Sequence, residues 1–492
     1  MKKLLCLLCV LIIGVTSFST AVSADLPYHG YNYDWWGMPV PSQNGYVPDL
    51  VVTGEQIGVG TFKEAQDLFI SDDELFYIAD SGNNRIVVTD KDFNLIRVID
   101  TLIEEDGTET TFNNPMGVFV DHKNNLYIAD TNNERVILAD ADLNVIRYFH
   151  KPESEVYPAD ITYNPRKVTV DKAGTMFVVV KSVNQGAVTF SPDGTFKGFY
   201  GANRVQTTAD VIANAFWKTV LSPEAARKRK RSVAVEIANF DIDEDGFVYT
   251  VTEAKSLDTD VLKKLSPSGK NIYETLGYSD YFYGDWGSVY YLGQTITSSI
   301  VDVDVGDYGI INLVDYTSKR IFQYNRECDL LFVFGGEGDQ VGTFRAPNAV
   351  ESLGESVYVL DGRKNSITRF NRTIFGEYVH TAVELTVLGR YEEAVAPWEE
   401  VLRRDGNYWY AYIGLGNAYL EQGEYETAMD YFYYNSRGGY SRAFKYYRMD
   451  FLRENFNKIV IGFVVLFVLY FIIKRVIKRV RLNKKNNGMG VE

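Results

Sequence analysis

Asp80 to Ile86 reads D-S-G-N-N-R-I, and fifty residues further on Asp130 to Val136 reads D-T-N-N-E-R-V. Each motif ends a short run of β-branched and aromatic residues, Tyr77, Ile78 and Ala79 in the first case and Tyr127, Ile128 and Ala129 in the second. Recurrence at a fixed period means one supersecondary unit repeated, so the fold is read from the unit and its copies. Strand-like runs bounded by Asp, Gly and Asn recur at 75–80, 126–130, 176–180, 247–252, 310–315 and 357–361. Six copies of a strand, turn, strand and polar hairpin predict a mainly β fold.

Three copies place Asp and Arg five residues apart: Asp80 with Arg85, Asp130 with Arg135, and Asp315 with Arg320. A pair that repeats with the unit is expected to bridge a hairpin and fix its turn, not to touch a ligand. The stretch from Asp241 to Gly246, D-I-D-E-D-G, begins like a calcium loop but has Thr252 where the bidentate Glu would stand. It is expected to be an ordinary turn.

At these residues the chain resembles the NHL-repeat family, whose unit reads roughly P-x-G-[IV]-x-[VF]-D followed by Y-[IV]-A-D-[ST]-x-N-x-R-[IV]. Pro115, Gly117, Asp121, Tyr127 to Asp130, Asn133, Arg135 and Val136 carry the match, as do Tyr77 to Ile86, and Pro347 with Tyr358 to Asp361. The third and fourth units have drifted. The resemblance implies a six-bladed β-propeller over 46–375, with the run 46–52 closing the ring as the outer strand of the last blade.

From 376 the pattern becomes helical. Leu388-Gly-Arg-Tyr-Glu-Glu-Ala394 returns 34 residues later as Gln422-Gly-Glu-Tyr-Glu-Thr-Ala428, and Trp398 is matched by Phe432. This resembles the tetratricopeptide repeat and implies a small all-α module over 376–457, with a capping helix near 443–455.

The ends set the location. Lys2 and Lys3 precede an apolar run, and Val22-Ser23-Ala24 offers a cleavage site, which is the pattern of a signal peptide over 1–24. An aromatic-rich segment, 25–45, follows. Residues 459–473 are uncharged, and Lys474, Arg475, Lys478, Arg479 and Arg481 come directly after. One transmembrane helix over 458–477 with a basic cytoplasmic tail, 478–492, is expected, leaving 25–457 extracytoplasmic in a single-pass protein of the cell membrane.

The chain carries a net charge of −15, and its cations concentrate in the tail, so the external part is more acidic still. Such a body is a poor nucleic-acid binder. Cys6 and Cys9 lie in the signal, leaving Cys328 without an internal disulfide partner.

Aligning the inner strands places Asp67, Gly117, Lys167, Asn239, Ile300 and Ala349 around the channel, with Asp67, Lys167 and Asn239 as its candidate polar residues. Relatives resembling the gluconolactonase group hold a divalent ion at such positions. Here two oxygen ligands face a repelling lysine, and none of His29, His122, His150 and His380 falls there. The residues therefore nominate no catalytic set, no metal centre and no cofactor.

Two insertions, 201–235 and 276–297, are expected to crown the channel mouth. They bring Trp217, Tyr281, Tyr283 and Trp286, aromatics suited to binding sugars or peptides, and a basic run from Arg227 to Arg231. The family resemblance implies a membrane-anchored recognition or scaffold protein that binds envelope proteins or glycans as an accessory to a transport or carbohydrate-handling system. The alternative is a metal-dependent, lactonase-like hydrolase working in the channel.

Overall fold

The computed structural model describes residues 26–33, 38–203, 234–253, 260–277, 283–285, 289–291, 294–296 and 298–487. The signal segment, Trp217, Tyr281, Trp286 and the basic run at Arg227 to Arg231 lie outside the described residues. The chain divides into two compact units, Met1–Glu377 and Tyr378–Glu492.

The first unit is a six-bladed β-propeller. Blade 1 is Asp67–Ile70, Phe76–Asp80, Arg85–Thr89 and Leu95–Ile99, antiparallel in chain order from the channel outward. Blades 2, 3 and 5 repeat this plan, starting at Pro115–Val120, Pro165–Val170 and Ile300–Val305. Blade 4 shows three strands among the described residues: Asn239–Ile242, Val248–Val251 and Leu262–Leu265. A helical turn, Ile272–Leu276, follows where the other blades have an outer strand.

Blade 6 takes Pro347–Leu353, Ser356–Asp361 and Ser366–Arg372 from the end of the propeller and Tyr46–Thr53 from its beginning. The expected closure is therefore present, running antiparallel from Ser366 against Thr53 to Arg372 against Tyr46. Tyr46 anchors it: the ring is 2% exposed and stacks on Phe334 at 4.8 Å.

The second strand of a blade is buried along its whole length, as at Phe76–Asp80 and Leu126–Asp130, because a neighbouring blade covers each face. That is why these runs are continuously apolar instead of alternating. The cores lie between blades. Tyr77, Ile86 and Val88 of blade 1 meet Val118, Leu126 and Ile128 of blade 2, and the same arrangement recurs around the ring. Outer strands are half solvated, as the exposed Leu95 and Ile96 show.

The recurrent Asp is a hub. Asp80 accepts from the Lys63 backbone N–H at 2.7 Å, from Asn83 at 2.8 Å and from Arg85 at 2.7 Å. Asp130 accepts in the same way from Asn113, Asn133 and Arg135. The residue after the Asp ties the blade to the next one: Ser81 Oγ donates to the Pro115 carbonyl and Thr131 Oγ1 to that of Pro165. The motif thus fixes the loop entering its blade and staples the following blade.

The third expected pair does not form. Asp315 is held by Ser298, Ser318 and the backbone of Ser299 and Thr317, so its acceptor sites are occupied. Arg320 pairs instead with Asp285 at 3.0 Å, beneath Tyr31 of a hairpin formed by Tyr31–Tyr33 and Pro39–Pro41. The segment from Asp241 forms an ordinary hairpin turn, with the Gly246 N–H donating to the Asp243 carbonyl at 2.9 Å.

The second unit is helical. Ile374–Val387 (α1) leads into it, followed by Tyr391–Arg404 (α2), Trp409–Glu421 (α3), Tyr425–Asn435 (α4) and Arg437–Asn487 (α5). Consecutive helices pack from α2 through α5. Aromatic rings fill notches left by glycines: a Cβ on Gly414 would lie 2.4 Å from the Trp398 ring, and one on Gly416 2.5 Å from Phe432. The cap and the apolar segment, expected as separate pieces, form one unbroken helix of 51 residues. Its apolar stretch is long enough to cross a membrane, with mean hydropathy 2.5 and no burial.

Candidate functional site

The strand registers define the channel wall. Asp67 pairs with Ala79, Gly117 with Ala129, Lys167 with Val179, Asn239 with Val251 and Ala349 with Leu360. In blade 5 the equivalent pair is Asp302 with Val314, so Asp302 and not Ile300 takes the channel position. The reason is a β-bulge. Register shifts between Pro115 and Gly117, Pro165 and Lys167, and Pro347 and Ala349 recur between Ile300 and Asp302. Ile300 therefore stands where other blades have Pro. A sequence alignment that matched Ile300 to Pro115 would have found Asp302.

The waist ring is thus Asp67, Gly117, Lys167, Asn239, Asp302 and Ala349. Its polar members satisfy one another. Lys167 forms a buried ion pair with Asp67 across blade 2, whose Gly117 adds no side chain between them. A Cβ on Gly117 would fall 2.5 Å from the Arg166 carbonyl, so the close approach of blades 2 and 3 requires glycine. Asn239 donates to Asp302 and accepts from the Phe240 N–H at 2.8 Å. The candidates Asp67, Lys167 and Asn239 therefore share one ring but fall into two separate pairs.

Two residues further along each inner strand come Phe69, Phe119, Thr169, Asp241, Asp304 and Glu351. Blades 1 and 2 give it two aromatic rings, Phe69 and Phe119, packed at 4.9 Å, blade 3 gives Thr169, and blades 4, 5 and 6 supply three consecutive carboxylates. Several channel carboxylates reach the next blade. Asp67 accepts from the Val118 N–H at 2.9 Å, Asp241 from Val305 at 2.7 Å, Asp302 from Val350 at 2.7 Å and Asp304 from Ser352 at 3.2 Å.

Crowding of acids in a place poor in water raises their pKa values. Burial, with Asp304 adding to it, pushes Asp241 up to about 8. Burial pushes Asp302 up to about 7 against the opposing charge of Lys167. Glu351 is held well above the carboxylate range by burial and by Asp304, Asp241, Asp302 and Asp67. Burial alone would lower Lys167, but Asp67, Asp302 and Glu351 outweigh it and keep the ammonium charged.

The free space at this level is about 30 Å³, room for roughly one water. Above it the channel opens into a cavity of about 580 Å³, within the range of small-molecule sites. Gln66, Met116, Arg166, Ala238, Val301 and Asn348, one residue before each waist position, form its wall, so every blade contributes. Loops add Lys63, Glu64, Glu253, Tyr316 and Arg363. Asp80 fixes the Lys63 backbone and Asp361 the Arg363 backbone, so the repeat's structural hub also positions the rim.

The first insertion returns at 234–238 onto this wall through Ala238. Of the four aromatics expected there, Tyr283 is described. It is 5% exposed and packs edge-on against Tyr324 at 5.5 Å, within the core shared by blades 4 and 5. Among the described residues, no group of three or more His, Cys, Asp or Glu side chains has an arrangement fit for a metal ion.

No family model matches the chain, and no curated protein does. Solved structures of similar fold include a streptogramin B lyase, 12% identical, covering 70% of this chain and 93% of the other at a TM-score of 0.38. A virginiamycin B lyase from Staphylococcus aureus is 10% identical over 66% of this chain and 99% of its own, TM-score 0.38. A putative gluconolactonase is also 10% identical over 66% of this chain and 92% of its own, again at 0.38. At that level of likeness none of their activities passes to this chain.

Proposed function

We propose that this is a membrane-anchored recognition protein, an NHL-type propeller whose open mouth binds its target while the C-terminal helix holds the chain in the membrane. On this reading 25–457 are extracytoplasmic, the basic end of α5 is cytoplasmic, and the tetratricopeptide-like helices dock or space a partner. Envelope proteins or glycans are the proposed targets, in support of a transport or carbohydrate-handling system.

The observation that carries the reading is the contrast along the channel. A bowl of about 580 Å³ stands above a space of about 30 Å³ in which Asp67 is engaged with Lys167 and Asn239 with Asp302. A metal-dependent hydrolytic site needs ligands free to hold the ion. For Asp67 and Asn239 to ligate an ion, Asp67 would have to give up Lys167 and Val118, and Asn239 its bonds to Asp302 and Phe240. Binding at the mouth needs no such rearrangement.

A photocrosslinking residue at Tyr316, on the exposed rim, tests this in intact cells. The expected result is a reproducible adduct with one envelope protein or glycan that disappears when the probe is moved to Lys91 in blade 1. Adducts with cytoplasmic proteins alone, or turnover of a lactone or ester by the purified chain that is abolished in Asp67→Asn, would sink the reading.

A further inference from the structure

Most arginines of this propeller are matched by an acceptor. Arg85, Arg135, Arg320, Arg345 and Arg369 each meet an Asp, and Arg97 and Arg147 end on backbone carbonyls. Among the described residues of the unit, Arg166 and Arg363 are the two arginines whose guanidinium groups reach no acceptor. Both line the same cavity, joined by Lys63, whose ammonium likewise meets no described acceptor. Lys123, Lys181, Lys197 and Lys270 are also unmatched among the described residues but stand exposed at the surface, whereas Arg166 is half buried in the bowl with Lys63 and Arg363 at its edge.

Their positions suit a ligand. Arg166 sits on the inner strand of blade 3, half buried in the wall, while Lys63 and Arg363 stand on the rim of blades 1 and 6. Below them lie Asp67, Asp241, Asp302 and Glu351 around a space for one water, balanced by a single lysine. The small space there leaves no room for more than about one water, so an anion stays at the level of Arg166. Glu64 and Glu253 also face the bowl and offset two of the three positive charges, which disfavours a polyanion. Asn348 donates its amide N–H to the Ala65 carbonyl at 2.9 Å. Specific donors to an oxyanion therefore come from the guanidinium groups, which suit the planar or forked oxygens of a carboxylate or phosphate.

We infer that the propeller mouth is a binding site for a small organic anion carrying one carboxylate or phosphate ester, held by Arg166 and Arg363 with Lys63 at the rim. This deepens the recognition reading, on which it rests, by naming the chemistry of the bound group. The anion is either a free metabolite or the exposed group of a larger envelope molecule, and the probes below report the shared chemistry.

The test is ligand-observed NMR and calorimetry on the full chain in detergent micelles, with glycerate, glycerol 3-phosphate and glycerol as probes of one skeleton. Saturable millimolar binding of glycerate or glycerol 3-phosphate, with none of glycerol, is expected, and the stronger of the two identifies the preferred anion. Arg166→Gln and Arg363→Gln should each weaken it about tenfold or more, while Lys91→Gln on the outer surface leaves it unchanged. Arg363 lies on an exposed hairpin, so its variant keeps the test alive if Arg166→Gln fails to fold. Glycerol binding as well as the anions, no saturation with either anion, or unchanged affinity in both arginine variants overturns the site. The two readings fail separately. Chemical conversion of a bound probe would remove the recognition reading and leave the anion site, whereas absent anion binding with intact crosslinking at Tyr316 would do the reverse.

Discussion

Each blade of a propeller presents the edge of its innermost strand to the channel, and the backbone N–H groups along that edge have no strand to pair with. Here Asp67, Asp241, Asp302 and Asp304 each reach across to such an N–H in the next blade, which explains why acids gather in so confined a place. A carboxylate is a stronger acceptor than a neutral group, but confinement works against its charge. Asp302 and Asp241, pushed up to about 7 and about 8, bind protons more tightly folded than unfolded. A folded pKa above the unfolded one gives stability that is complete below the unfolded value, near 4, and is lost as pH rises through the folded value. The propeller should therefore melt higher at pH 6 than at pH 9, by ~3 °C or more. Asp241→Asn keeps an oxygen for the Val305 N–H and removes the proton. Calorimetric melting across this range should give a flatter profile for the variant, and an equally steep one would show that the dependence arises elsewhere.

At the scale of elements, the ring is only as closed as its last blade. Tyr46–Thr53 pairs along the whole of Ser366–Arg372 and carries the buried Tyr46, so removing it exposes a long strand edge and opens the seam against blade 5. Deleting residues 46–53 should lower the melting temperature by about 10 °C or more, or abolish cooperative unfolding in circular dichroism. An unaltered transition would mean that the ring holds without its closing strand. This closure could be read from sequence, because Arg372 is followed by a helix and leaves one strand missing, and a β-patterned run stands before blade 1. Blade 5 resisted the same reading. Its bulge carries Ile300 in place of Pro, and the insertions on both sides of blade 4 break the fifty-residue spacing that would have set the register. The mouth cations were hidden for a different reason. Lys63 precedes an inner strand, Arg166 lies within one and Arg363 sits in a hairpin, so no repeat period relates them, and only closure of the ring brings them together.

At the scale of the molecule, charge and hydropathy are segregated along α5. The helix rises about 1.5 Å per residue, so its 51 residues span roughly 76 Å, far more than the ~30 Å of a hydrocarbon core. The surplus lies on both sides of the apolar stretch: Arg437 to Asn455 before it, and a run with Lys474, Arg475, Lys478, Arg479 and Arg481 after it. Aromatic and apolar side chains at Phe451, Leu452 and Phe456 are exposed just ahead of the apolar stretch, where an interface accepts them. The cations are denser directly after the apolar stretch than before it, and the proposed orientation keeps that end in the cytoplasm with the N-terminal part outside. Protease added to spheroplasts of cells making the protein with a C-terminal tag should then digest the propeller and leave a tagged fragment of only a few kilodaltons. Lysing the membrane first should destroy the tag as well. Survival of the propeller with loss of the tag in intact spheroplasts would reverse the orientation, and with it the proposal that the mouth meets envelope molecules.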